Sequence, residues 1–223
     1  MVLEPMRAWI ERIHQLTCRE RISSFEAGER GEVQTMIFSA YIEELRKIYA
    51  RHDLSLRLAA GNAEKTLVEA EAKLDFSLEP GLREAWRMAN GSRREMPPVF
   101  AKPDFFTGYD FLSLDAAIKA RAGMKRRAPQ YAGYVEPEPR NKRIRPGWFH
   151  SGWVPFADFG GGTLLLIQDY SPSETGRAGQ IIAYTHDPDE IDYVAPDFQT
   201  FLQLSLKSIK EDPEEFLEAF LED

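Results

Sequence analysis

The chain has 223 residues, 43% of them hydrophobic, and a formal net charge of -8. That is ample apolar material for a core and the wrong sign for a generic nucleic-acid binder, while it suits electrostatic steering towards a basic partner. The single cysteine, Cys18, excludes an intramolecular disulfide and a cysteine-built zinc cage. With no basic-then-apolar leader at the N-terminus and no run approaching about 20 apolar residues, the expected setting is the cytoplasm, away from any membrane.

In chain order, residues 1–60 read as an N-terminal helical extension and 61–223 as the main domain. Met6, Trp9, Ile10, Ile13 and Leu16 fall on one helix face, and Val33, Met36, Ile37, Tyr41, Leu45 and Ile48 on another. A third helix is expected from Asn62, as N-cap, through Leu67 to Leu74. A fourth starts at Pro80, buries Leu82, Ala85, Trp86 and Ala89, and ends at Asn90-Gly91 in a left-handed turn. A short strand is expected between Phe105 and Leu114, then a helix capped by Asp115 running to about Ala122.

From Lys119 to Arg145 nine basic residues face only Glu136 and Glu138, and Pro129, Pro137, Pro139 and Pro146 interrupt regular structure. This stretch, 119–146, reads as a long basic loop. The tract that follows, Trp153-Val154-Pro155-Phe156-Ala157-Asp158-Phe159-Gly160-Gly161-Gly162, leads into the β-favouring run Thr163 to Ile167 and then Gln168-Asp169. Three consecutive glycines make a tight connection between antiparallel strands, the second buried on both faces. Strands are also expected at Gly179–Tyr184 and Ile191–Val194, and helices after the caps Asp197 and Asp212-Pro213. The sum is an α+β fold: a mostly antiparallel or mixed sheet with a glycine-rich hairpin, packed by helices at both chain ends.

The tract from Trp153 to Asp169 resembles the signature of the SUKH superfamily, the Smi/Knr-type proteins, which runs approximately Trp-x-Pro-x-Ala-x-x-Gly-Gly-Gly followed by Asp. A second region, Ala70-Glu71 and then Pro80 through Asn90-Gly91, follows the family's order of an Ala-Glu helix, Leu-Pro and a short helix. It departs where Glu79 separates Leu78 from Pro80. The resemblance implies a binding module and no enzyme, without catalytic residues, metal or cofactor. The implied role is an immunity protein that neutralises a toxin domain, such as a nuclease or deaminase, by occupying its active surface; a regulatory scaffold is the alternative within the family. The signature residues it marks as partner-binding or structural are Glu71, Trp153, Pro155, Asp158, Gly161, Gly162 and Asp169.

The residues themselves leave other readings open. The glycines precede a strand and not a helix, so they make no phosphate cradle. No Gly-x-Ser-x-Gly elbow occurs, and no histidine pair has metal-ligand spacing. A small-molecule or metal-dependent enzyme is built only if Asp158, Asp169, His150 and His186 meet at one sheet edge. Glu71 either contacts the partner or ties its helix to a backbone donor or an arginine. Arg143, Arg145, Trp148 and Phe149 either form an exposed interface that interleaves cations with aromatics, or pin the loop to the domain.

Overall fold

The strand Leu164–Asp169 is buried at all six positions, and everything around it serves to cover its two faces. It is β6 of the computed structural model, which describes residues 36–92, 97–103, 105, 108–136, 139–186 and 189–221. Among the described residues the elements are α1 Phe38–Ala50, β1 Leu58–Ala60, α2 Glu64–Leu74, α3 Pro80–Met88, β2 Ala89–Ser92, β3 Phe100–Ala101 and β4 Gly108–Phe111. There follow α4 Leu114–Arg127, a 3₁₀ turn Ala128–Tyr131, β5 Trp153–Phe159, β6, β7 Gln180–Thr185, β8 Glu190–Ala195, α5 Phe198–Glu211 and α6 Pro213–Leu221. The fold is α+β, with an antiparallel sheet in the order β3-β4-β5-β6-β7-β8 and a separate β1-β2 pair.

The glycine-linked pair forms as the sequence implies. Trp153 lies opposite Asp169, Phe159 opposite Leu164, and the strands are antiparallel. Pro155 is tolerated inside the sheet because β4 pairs only with Ala157 and Asp158, so no strand on that side needs the amide hydrogen that proline lacks. The sheet also curls. Lys102, just past β3, forms a 2.7 Å ion pair with Asp192 of β8, bringing the two ends of the strand order within one side chain of each other.

One face is covered by helices. Phe100 of the two-residue β3 sits at the centre of an aromatic cluster, 5.8 Å from Tyr41 on α1, 5.7 Å from Phe111 on β4, 5.6 Å from Phe156 on β5 and 5.6 Å from Phe201 on α5. Buried Ser205 on the apolar face of α5 is satisfied there. Its hydroxyl accepts from the Ala101 amide at 2.9 Å and contacts the Tyr41 hydroxyl at 2.8 Å, whose own proton goes to the Val99 carbonyl at 2.7 Å. The buried stripe of α5 is the one read from sequence, Phe198, Phe201, Leu202, Ser205, Leu206 and Ile209, and Asp197 caps it at Thr200. Helix α1, which precedes residue 60, is built into this same core. Its stripe is Phe38, Tyr41, Ile42, Leu45, Ile48 and Tyr49, while Ile37 lies outside the helix and is 54% exposed. The helix expected around Met6 to Leu16, and Val33 of the second face, lie outside the described residues.

The other face is covered by the stretch expected to be a basic loop. Lys119 to Arg127 belong to α4, whose cap is Ser113 and not Asp115. With a 3₁₀ turn and an irregular return to residue 152, they form a lid that buries Met124, Ile144 and Trp148 against Trp153, Leu165, Ile167, Ile182, Tyr184 and Ile191. The helix is longer than its apolar pattern announces because only Leu114, Ala117 and Met124 are buried.

Two helix ends also differ from expectation. Asn62 does not cap α2; its side chain donates to the Trp86 carbonyl, and Ala63 stands at the cap. Helix α3 ends at Met88, and Asn90-Gly91 continue as β2 against β1, a pairing invisible locally. The Asn90 side-chain oxygen is drawn off to accept from the Leu114 amide at the start of α4.

Trp148 is buried to 9% exposure between Tyr131 and the sheet, so Trp148→Ala should lower stability by about 3 kcal/mol in urea titration. A tryptophan lying on the surface would give a change within about 0.5 kcal/mol.

Candidate functional site

The glycine hairpin fixes one end of the sheet. Gly160, Gly161 and Gly162 have φ of 69°, 70° and 94°, a left-handed run that side chains with a Cβ resist. Asp158 and Thr163 close it from either strand. The Asp158 carboxylate accepts from the Gly162 amide at 2.6 Å, and the Thr163 hydroxyl donates to the Phe159 and Gly160 carbonyls at 3.1 and 3.2 Å.

Carboxylates gather at this end. Asp110 of β4 is paired directly with Asp158 of β5, so both side chains leave the same face. Burial, then the charge of Asp158, pushes the Asp110 carboxyl above the ordinary carboxylate range; burial does the same to Asp158, opposed by the Gly162 amide. On β8, Glu190 is raised by burial and by Asp192 two residues on, with Lys102 opposing. The curl of the sheet joins the two groups: the Tyr109 hydroxyl is raised first by burial and then by the charges of both Asp192 and Asp158. The result is an acidic rim at the hairpin end of the sheet, with Asp110 and Asp158 on its lid face and Glu190 and the Lys102-paired Asp192 on its helix face; Phe159 there is 37% exposed.

The four residues required for an enzyme centre do not meet. Asp158 lies opposite Leu165, so Asp169 is four residues further along β6, roughly 13 Å away. His186 is at the hairpin end, its amide bonded to the Thr163 carbonyl and its Nδ1 2.8 Å from Asp189 Oδ1. His150 is at the other end, its ring against Trp153 at 5.1 Å and its Nε2 2.8 Å from the Pro146 carbonyl. Among the described residues no group of three or more His, Cys, Asp or Glu is placed to hold a metal ion. The cause is the antiparallel register, which sends the two ends of one hairpin strand to opposite ends of the sheet.

Asp169 instead anchors the lid. Fully buried, it accepts from the Ser171 amide at 2.8 Å and from the Gln180 side chain at 3.0 Å, and the same Gln180 amide donates to the Arg143 carbonyl at 2.9 Å. Burial raises its carboxyl, while Ser171, Gln180, His150 and Trp153 counter the rise. Trp153 is fully buried beneath the lid.

Four of the lid's arginines lie against aromatic rings, while Lys119, Lys125, Arg126, Lys142, Arg143 and Arg145 are exposed. Arg127 lies over Tyr184 at 5.6 Å, Arg140 over Trp148 at 5.1 Å, Arg143 over Tyr193 at 4.9 Å and Arg121 over Phe149 at 5.6 Å. Trp148 and Phe149 therefore pin the lid, and Arg143 shares in that packing; Arg145 remains on the surface. Local composition shows cations among aromatics but not that they contact each other.

Residues 61–204 match the family model of the SMI1 / KNR4 family (SUKH-1). The chain belongs to this family. SUKH proteins are protein-binding domains, immunity proteins among them, and generally lack catalysis. No curated protein matches the chain. Among the described residues no helix is long and apolar enough to cross a membrane.

Within the SUKH domain, Glu71 ties helices together. Its carboxylate accepts from the Leu78 amide at 2.9 Å and from Arg83 Nε at 3.2 Å, while Arg83 also forms a forked pair with Glu64. Glu79, the residue between Leu78 and Pro80, caps α3 through the Gly81 and Leu82 amides at 3.0 and 3.1 Å. Its own amide donates to the Tyr170 hydroxyl, which in turn donates to buried Gln168. Sequence reading missed this role although a carboxylate immediately before an N1 proline is an N-cap signal.

Glu71→Ala leaves the Leu78 amide and Arg83 without that acceptor and should cost about 2–3 kcal/mol in chemical denaturation, with Glu71→Gln recovering roughly half.

The rim predicts a pH signature. A carboxyl raised in the folded state binds more protons there than when unfolded, so its effect on stability worsens as pH rises from the ordinary carboxylate range through its raised value. Asp110→Asn should therefore raise Tm at pH 7 to 8, by roughly 0.5 kcal/mol in stability terms, and the gain should vanish at about pH 2 to 3, below the ordinary carboxylate range, where the position is protonated in both states. A gain that persists unchanged at about pH 2 to 3 would remove the electrostatic explanation.

Proposed function

We propose that this protein is an immunity protein that acts in the cytoplasm and neutralises a cationic toxin domain, a nuclease or deaminase, by laying its acidic rim across the toxin's active surface. The observation that carries this reading is the pairing of Asp110 with Asp158 across β4 and β5, which puts two carboxylates on one face so that the charge of Asp158 opposes ionisation of Asp110 in the free protein. A cationic surface relieves that repulsion, so part of the binding energy is stored in the unbound rim. Family membership supports a protein partner.

Inhibition by this route is steric and electrostatic and involves no turnover. Asp158, Asp110 and Glu190 supply the field that speeds encounter, and Phe159 supplies an aromatic at the edge of the patch.

The test is protection and association kinetics with the toxin domain encoded beside this chain. Asp110→Lys with Glu190→Lys should slow association at least about tenfold at low salt, abolish protection and flatten the salt dependence, because at ~0.15 M salt charges beyond about 8 Å are already screened. Arg126→Glu with Arg145→Glu, on exposed lid positions, should leave the rate unchanged or slightly raised. Loss of binding in the arginine variant instead would place the contact on the lid and sink the proposal.

A further inference from the structure

The lid contains an open pocket of about 640 Å³ that none of the rim residues lines. Its volume is that of small-molecule sites. Trp148 and Tyr131 stack in it with ring centroids 4.2 Å apart and 13° between planes. Tyr134 stands upright against both, at 88° to Tyr131 and 87° to Trp148. Trp148 is covered by Tyr131 and Arg140, so Tyr134, 41% exposed, is the ring of the three that offers a planar guest a surface.

The charges in the lining are unequal. Glu136 and Arg140 satisfy each other through a forked ion pair, and Arg140, only 7% exposed, also donates to the Gly147 carbonyl at 2.6 Å. Lys142 makes no ion pair among the described residues. The Asn141 carbonyl oxygen is taken by the Arg143 amide at 3.0 Å, which leaves its NH₂ group as a donor. The Ser173 hydroxyl is spent on the Lys142 carbonyl. Among the described residues, what remains uncommitted is thus an ammonium and an amide donor beside the exposed Tyr134 ring.

We propose that this pocket binds a small planar anion, an aromatic ring bearing a carboxylate, sulfonate or phosphate. The ring packs against Tyr134, and the anionic group meets Lys142 and Asn141. The site is independent of the toxin-facing rim and does not rest on that reading.

Titration calorimetry on the full chain with 2-naphthoate, and with neutral 2-naphthalenemethanol as its uncharged counterpart, tests the proposal. The carboxylate should bind one to one with Kd of about 0.1 mM or tighter, and the alcohol about tenfold more weakly. Lys142→Met should bring the carboxylate down to the level of the alcohol without changing the alcohol. Tyr134→Ala should weaken both ligands several-fold. Lys142 is exposed and Tyr134 is 41% exposed, so Tm should move little in either variant. No saturable binding of 2-naphthoate below about 2 mM, or equal affinity for acid and alcohol, or native affinity in Lys142→Met, would overturn the assignment.

Discussion

Strand β6 has no polar face, and that constraint organises the molecule. Leu164 and Leu166 point to the helices, Leu165 and Ile167 to the lid, so a single layer of helices leaves half of the strand's apolar surface in water. Leaving Leu165 and Ile167 in water would cost about 3–6 kcal/mol, a large part of a small domain's margin of about 5–15 kcal/mol. A second cover is required, and the segment after α4 provides it without regular secondary structure beyond one 3₁₀ turn.

An irregular cover faces two difficulties, its own backbone polar groups and its charge. Both are met by the same side chains. Arg140 and Arg121 donate to backbone carbonyls within the lid region while their planes lie on Trp148 and Phe149, and Arg127 reaches the Gly162 carbonyl at 3.4 Å. Asp169 and Gln180 hold the lid's return at the far end of the sheet. Arg121, Arg127 and Arg140 thus act as fasteners between loop and sheet, using the guanidinium's combination of flat apolar faces and fixed donors, while Arg126, Arg143 and Arg145 are exposed. Lysines on the same segment, Lys125 and Lys142, stay exposed.

The acidic rim follows the opposite logic. Its members are neighbours because the strands pair and curl, not because they are close in sequence, and their mutual repulsion is a cost of the free fold. Interior carboxylates behave differently: Asp169 and Glu71 each have two donors aimed at them. Family-signature carboxylates thus divide into fasteners, Glu71 and Asp169, and a residue with two duties, Asp158, which closes the glycine hairpin and stands opposite Asp110.

Periodicity and caps were enough to read α5 with its complete stripe, α6, the hairpin of β5 and β6, and strands β7 and β8, because in each the information lies within one turn or one pleat. The Trp-x-Pro and glycine tract also carried the family. Less was legible where an element is defined by a distant partner. β1 and β2 exist only through each other, β3 has two residues, and α4 lacks an apolar stripe because it lies along the junction of the two cores, burying Leu114 and Ala117 in one and Met124 in the other. The same limit applied to the site. Sequence identified Asp158, Asp169 and His186 as chemistry-bearing, but antiparallel register separates Asp169 from the other two and brings Asp158 to Asp110, forty-eight positions earlier. The sequence by itself determined which segments must be strands, helices and turns, since those depend on local sterics and the spacing of apolar side chains. Which carboxylates share a surface, and which arginines are hidden, were decided only by the curl and register of the sheet, because electrostatic and stacking contacts depend on distance in space.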